Sequence, residues 1–279
     1  MRYSARMQSR ISDTPVRRAF VDTQAGQIHI RRAGAERAGR VPLLLLHQSP
    51  SSSLTYAEVL PFLGAERLAI AVDTPGFGES FRPDCAPTIA DYARWIAAVP
   101  AELGFDRFDV MGLFTGAGIA AEIARMFPHR VRCVVLAGPP VFTSEQQAGF
   151  VANAWPSAPQ PDGSHFAVEW QRVMARPMAG MSFERRCDSF NEFYRGGANA
   201  IWGEQAIAVY PMAETLPQLS QPTLILEPNG INGDCRRAAA LIPNGRLERI
   251  DHLGYSMMQV IPETVAARVQ AFLDEKNAA

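Results

Sequence analysis

The stretch Val110-Met111-Gly112-Leu113-Phe114-Thr115-Gly116-Ala117-Gly118 decides how this chain is read. It carries a run of strand character, Phe108–Leu113, into a helical pattern, Gly118–Phe127, with only Phe114-Thr115-Gly116-Ala117 between them. Small residues at 112, 116, 117 and 118 let the two elements approach closely across so abrupt a turn. Runs of the same kind recur on either side. Val41–Leu46 suits a strand buried on both faces of a parallel sheet, and Leu68–Val72, Val131–Ala137 and Thr223–Leu226 repeat it. Helical patterns fall between them at Tyr56–Leu63, Ile89–Leu103, Arg236–Ile242 and Thr264–Leu273. Strand alternating with helix predicts a doubly wound α/β sheet with right-handed crossovers.

At the N-terminal side, Arg18–Thr23, a turn at Gln24-Ala25-Gly26 and Gln27–Arg32 predict a hairpin. The alternation breaks between Val141 and Leu219. That stretch holds Trp155, Trp170 and Trp202 and the loop Pro156–Gly163, with no convincing strand. It is predicted to be a mostly helical lid inserted between two strands, over the carboxyl ends where open α/β sheets bind ligands. The expected organisation is a core of 16–140 and 220–273, a lid of 141–219, and flexible termini at 1–15 and 274–279.

Composition narrows the partner. In 279 residues, 47% are hydrophobic and 20% charged, which are ordinary globular values and exclude disorder and coiled coil. A formal charge of -1 offers no basic footprint for nucleic acid or an anionic membrane, so a small molecule is the expected partner, with a homodimer left open. Cys85, Cys133, Cys187 and Cys235 are far apart and form no CxxC, so they read as reduced, cytoplasmic thiols. The first twenty residues contain no continuous apolar segment of the kind a signal peptide needs. Lys276 is the only lysine, which argues against Schiff-base chemistry. No cofactor is expected: Gly116-Ala117-Gly118 lacks the G-x-G-x-x-G frame, Walker A is absent, and the five histidines are too scattered to hold a metal.

Four separated segments carry a resemblance across most of the chain: Leu45-Leu46-His47-Gln48-Ser49-Pro50, Asp73-Thr74-Pro75-Gly76-Phe77-Gly78-Glu79-Ser80, the Val110–Gly118 turn, and Ile250-Asp251-His252-Leu253-Gly254-Tyr255. In order and spacing they resemble the α/β-hydrolase superfamily, in its lidded, esterase- or lyase-like branch. The resemblance implies a G-x-Ser-x-G turn with a nucleophile at its tip. Gly112 and Gly116 match the two glycines, but the residue between them is Phe114, which has no lone pair for attack. A register shifted to Thr115 would flank the tip with Leu113 and Ala117 and crowd it.

Matching the family's other positions puts Tyr255 where the histidine is expected, with His252 three residues before it, and Gly230 where the acid is expected, with Glu227 the nearest carboxylate. The backbone amides of Ser49 and Thr115 correspond to the family's oxyanion hole. The candidate proton movers are therefore Tyr255, His252 and Glu227. Gln48, Phe114, Trp155 and Tyr194 are the candidate substrate contacts. His47 and Asp73 are read as structural residues of their loops. Three functions follow. The first is a cofactor-independent enzyme performing elimination, isomerisation, cyclisation or carbon–carbon cleavage on a small apolar carbonyl compound. The second is a hydrolase that activates water directly, without a covalent intermediate. The third is a catalytically silent small-molecule-binding protein.

Overall fold

The structure is a computed structural model and describes residues 14–152, 159–176, 178, 180–230, 234–254 and 256–276. Its centre is set by three runs buried at every residue: β3 (Leu43–Leu46), β4 (Ala69–Val72) and β5 (Phe108–Leu113). Strands with apolar residues on both faces belong in the middle of a sheet covered by helices on both sides. Around them lie β1 (Arg17–Thr23), β2 (Gly26–Ala33), β6 (Val131–Ala137), β7 (Thr223–Asn229) and β8 (Gly245–Leu253), in the order β1-β2-β4-β3-β5-β6-β7-β8. The β1/β2 and β2/β4 pairs are antiparallel, and the other pairs are parallel. This is the expected α/β class, an eight-stranded, mostly parallel sheet flanked by helices.

The helices in chain order are α1 (Leu60–Gly64), α2 (Ile89–Glu102), α3 (Thr115–Met126), α4 (Ser144–Ala152), α5 (Ser164–Ala175), α6 (Phe183–Arg195), α7 (Trp202–Ala208), α8 (Met212–Thr215), α9 (Cys235–Leu241), α10 (Met257–Val260) and α11 (Pro262–Glu275). The period-2 alternation of the strands divides the core into two layers. Leu44, Leu46, Ile70 and Val72 face residues of α2, α3 and α9, while Leu43, Leu45, Ala69 and Ala71 face α1, α10 and α11. Helices α4 to α8 fall between β6 and β7.

Three expectations need correction. The helix predicted over 56–63 is a 3-10 turn, Ser53–Tyr56, followed by α1, because Pro61 has no amide to continue a helix and is tolerated only in its first turn. The last strand, β8, was missing from the predicted runs. It carries Arg246, Glu248, Arg249 and Asp251, as an edge strand with one partner can, and so lacks a continuous apolar signature. β7 continues past Leu226 to Asn229, so Glu227 lies within a strand and not after one.

At the amino ends of the central strands, Asp109 of β5 is fully buried between Arg67, also fully buried, and Arg132 of β6. Arg67 reaches on to Asp274 at 2.7 Å, tying the C-terminal helix to the sheet. Burial outweighs these cations and pushes the Asp109 carboxyl above its ordinary range.

Candidate functional site

The turn between β5 and α3 has the geometry its sequence demands. Phe114 has φ 48° and ψ -104°, the only positive φ at a non-glycine position among the described residues. Such a conformation costs on the order of 1–3 kcal/mol and persists only where the surroundings enforce it. Here the Phe114 amide donates to the Ala137 carbonyl at 3.0 Å, and the Phe114 carbonyl accepts from the Ala117 and Gly118 amides. The flanking glycines are steric requirements. A Cβ on Gly112 would lie 2.0 Å from the Gly116 carbonyl oxygen, and one on Gly116 would lie 2.1 Å from that of Leu46. The Phe114 ring is 5% exposed and packs on Phe142 and on Phe150 of α4, with centroids 6.3 and 5.8 Å away.

The loop after β3 stands beside this turn. The Ser49 amide donates to Thr115 Oγ1 across 3.3 Å, so the two residues expected to share an oxyanion hole are neighbours. The expectation of two open amides is corrected in one respect: the Thr115 hydroxyl already occupies the Ser49 donor, through a long bond that a ligand oxygen would have to displace. His47 is buried and structural, as its loop position suggested. Its Nε2 accepts from the Thr74 amide at 3.0 Å, which leaves the proton on Nδ1 to donate to the Gln48 carbonyl at 2.8 Å. Burial pulls its pKa down, so the ring is neutral. Gln48 is half-buried, and its Oε1 accepts from the Thr55 hydroxyl at 3.5 Å. Asp73 takes the Ser53 amide at 2.7 Å, the Glu79 amide at 2.9 Å and His29 Nδ1 at 2.8 Å. Burial alone would raise its pKa, but the His29 and Ser53 hydrogen bonds outweigh it and hold the carboxyl below the ordinary range. Asp73 thus braces the turn, the structural role expected of it.

The expected proton movers fare differently. Glu227 faces Arg249 in the β7/β8 register and pairs with it at 2.7 Å, so its carboxylate is committed to a cross-strand ion pair. His252 was expected on a loop after the last strand; it lies inside β8 and is buried, its Nε2 within 2.8 Å of Ser256 Oγ. Desolvation lowers its pKa. β8 is three strands from β5, which at the usual spacing is roughly 14 Å across the sheet. Tyr194, on α6, sends its hydroxyl to the His165 carbonyl at 3.4 Å and packs among His165, Phe166 and Phe190. Burial raises its pKa to about 12. Tyr255 and Trp155 lie outside the described residues.

Two carboxyls that sequence reasoning missed lie on the helices between β6 and β7. Glu192 of α6 is 10% exposed beside Ser52, Arg31 and Arg195, and burial raises its pKa against the Ser52 hydrogen bond. Glu204 of α7 is 7% exposed, and burial raises its pKa to about 8 against the opposing pull of Arg176. The spacing of Glu192 to Arg195 marks only a helix-surface pair, and nothing local distinguishes Glu204. Burial also raises the Cys133 and Cys235 thiols, to about 11 and about 12, which leaves them protonated and inert. Among the described residues no group of three or more His, Cys, Asp or Glu side chains is arranged to hold a metal ion. No described helix is long and apolar enough to cross a membrane.

A mostly parallel eight-stranded sheet, a strained strand-to-helix turn at the carboxyl end of its central strand and a helical segment between β6 and β7 define a class of α/β protein. The chain belongs to the α/β-hydrolase fold family, whose model matches residues 41–254. It is 33% identical over 123 residues to haloalkane dehalogenase 2 of Mycobacterium tuberculosis, a match covering 44% of this chain and 42% of that protein. It is 34% identical over 101 residues to the 2-hydroxy-6-oxo-2,4-heptadienoate hydrolase of Pseudomonas putida, covering 35% and 37%. These matches span about two-fifths of the length of the curated relatives. The crystal structure of the enol-lactonase from Burkholderia xenovorans LB400 superposes with a TM-score of 0.75 at 17% identity, covering 92% of this chain and 100% of that one. At that identity the likeness concerns the fold.

Proposed function

We propose that this protein is an α/β-hydrolase-fold enzyme whose elbow carries no nucleophile, and that it acts without a cofactor on a small apolar carbonyl compound held under a helical lid. The observation that carries the reading is Phe114. The chain maintains a strained backbone at the tip of the turn, with both flanking glycines, for a side chain that cannot form an acyl-enzyme. The ring presents an apolar surface with Phe142 and Phe150. On this reading the Ser49 amide turns from the Thr115 hydroxyl to a ligand oxygen that gains negative charge as an enolate or alkoxide. Elimination, isomerisation, cyclisation and carbon–carbon cleavage all need such an oxyanion site and a proton carrier. Glu227 and His252 already have partners, so neither supports a Ser-His-Asp unit with residue 114. A soluble protein taking a small-molecule partner belongs to the same reading, with a cytoplasmic location and a homodimer as its further expectations.

A second reading, hydrolysis with water activated directly, draws on the names of the relatives, which are dehalogenase, hydrolase and lactonase. The test sets wild type beside Phe114→Ser with a short-chain activated ester and a fluorophosphonate probe. Both proteins are expected to remain inert and unlabelled. Labelling of the wild type would reveal a nucleophile elsewhere and overturn the proposal. If product forms from a carbonyl substrate, uptake of oxygen from labelled water separates hydrolysis from the non-hydrolytic route, which incorporates none. A ligand recovered unchanged after long incubation points instead to binding alone.

A further inference from the structure

We propose that the groove between α2, α3, α7 and α8 is a ligand site separate from the elbow, and that its ligand is a small organic cation with an apolar body. The inference goes beyond the function just given and does not depend on it.

The groove encloses about 690 Å³, within the roughly 300–1,000 Å³ of small-molecule sites. It is bounded by the start of α2, by Glu122 and Arg125 of α3, by α7, and by Tyr210 and Glu214 beyond it. Trp202, Ala206 and Val209 recur at helical spacing and line it. Gly203 and Ile207 form the adjoining face of α7, and they pack on Ser49 and Gly118 beside the elbow. Glu122 lies about two turns along α3 from Thr115, roughly 10 Å from the strained turn. The two sites therefore lie on different faces of one helix. Val209 is 72% exposed, and the half-buried Trp202 ring stacks on no other described aromatic residue.

Charge selects the ligand. Glu122, Arg125 and Glu214 are the charged side chains that line the groove. The first two cancel: Arg125 donates to Glu122 through Nε at 2.9 Å and through Nη2 at 2.7 Å, and the Tyr210 hydroxyl donates to the same carboxylate at 2.9 Å. Arg94, the other cation acting on Glu122, is paired with Asp91. The amino end of α2 would draw an anion, but its own capping box closes it: the Thr88 amide donates to Asp91 at 2.9 Å, and the Asp91 amide donates to Thr88 Oγ1 at 3.2 Å. Glu214 is left over, exposed and without an ion pair to a described residue. One negative charge thus remains on the lining, which repels an anion and attracts a cation. The rings of Trp202 and Tyr210 act in the same direction, because a cation over an indole or phenol is held by the ring quadrupole. An ammonium group on a hydrocarbon body meets the carboxylate, the rings and the apolar wall together, whereas a neutral ligand gains the wall alone.

Benzyltrimethylammonium chloride is the probe, titrated into protein labelled with nitrogen-15 at its indoles, with the Trp202 signal assigned by its loss in Trp202→Phe. The expected result is a saturable shift of the Trp202 signal, with phenylacetate and benzyl alcohol binding at least about 10-fold more weakly. Glu214 is exposed, so Glu214→Gln keeps the fold. It should weaken the cation at least about 3-fold in calorimetry, by a margin that shrinks as salt is added. Trp202→Leu should weaken it at least about 10-fold. A Trp202 signal that the cation does not move overturns the proposal, as does phenylacetate or benzyl alcohol binding as tightly as the cation. Equal affinity of wild type and Glu214→Gln overturns the choice of a cation. A dimer in sedimentation velocity that Val209→Arg separates overturns the ligand site itself, because a second copy of the chain then covers the groove.

Discussion

The elbow and the α5–α6 segment are held by opposite means. At the elbow the backbone is so tightly surrounded that neither Gly112 nor Gly116 has room for a methyl group, and the residues around it belong to the two continuous core layers of the sheet. Helices α5 and α6 instead pack around Val173 and Phe193, with Met174, Met178, Phe190 and Tyr194 partly buried. They reach the core through ion pairs, Arg185 to Glu58 and Arg195 to Glu79, and they leave Phe166 and Phe183 48% and 61% exposed. The rigid half thus fixes the backbone of the turn at Phe114. The segment between β6 and β7 carries two carboxyls whose pKa burial raises, Glu192 and Glu204. A segment with few buried apolar contacts opens at lower free energy than a core strand.

The comparison breaks first at Gly116. Gly116→Ala sets a Cβ against the backbone oxygen of Leu46, and a loss of more than about 4 kcal/mol is expected in urea unfolding, or failure to fold. A variant that loses less would show the elbow to be as yielding as the helices. Asp109→Ala leaves Arg67 buried without its central partner, and about 3–5 kcal/mol should be lost. Phe114→Ala should cost roughly 3 kcal/mol through the cavity left against Phe142 and Phe150, provided the turn itself survives.

The dependence on pH sharpens the contrast, because the two halves respond with opposite sign. The His47 pKa is depressed in the folded state, so the unfolded chain binds more protons and stability declines as pH falls below about 6.5. The Glu204 pKa is raised to about 8 from 4.5, so the folded chain binds more protons in that window and stability declines as pH rises through it. Glu204→Gln should therefore be more stabilising at pH 8 than at pH 5 in denaturant titrations, while the loss below pH 6.5 persists. The smallest effect is expected at the surface. Arg195→Ala removes a half-exposed pair with Glu79 and should cost less than about 1 kcal/mol, falling further as salt is added.

Much of the fold and part of the site were legible before any tertiary contact. The strand runs, the glycines at 112 and 116 and the phenylalanine between them are local facts, since the steric demand of a strand-to-helix turn falls on residues within a few positions of its tip. The buried-strand signature likewise needs only a short window, which is why β3, β4, β5 and β6 were readable and the charged edge strand β8 was not. Glu227 looked available because its partner, Arg249, lies across a strand register that sequence spacing does not express. Glu204 looked like any helix carboxylate. Its burial comes with the packing of α7, where Gly203 meets Ser49, more than 150 residues earlier in the chain. By itself the sequence determined the backbone of the turn, because that is decided by local sterics. Which carboxyls are paired and which hold a proton was decided only by the tertiary structure, because desolvation and charge pairing are properties of neighbours that meet on folding.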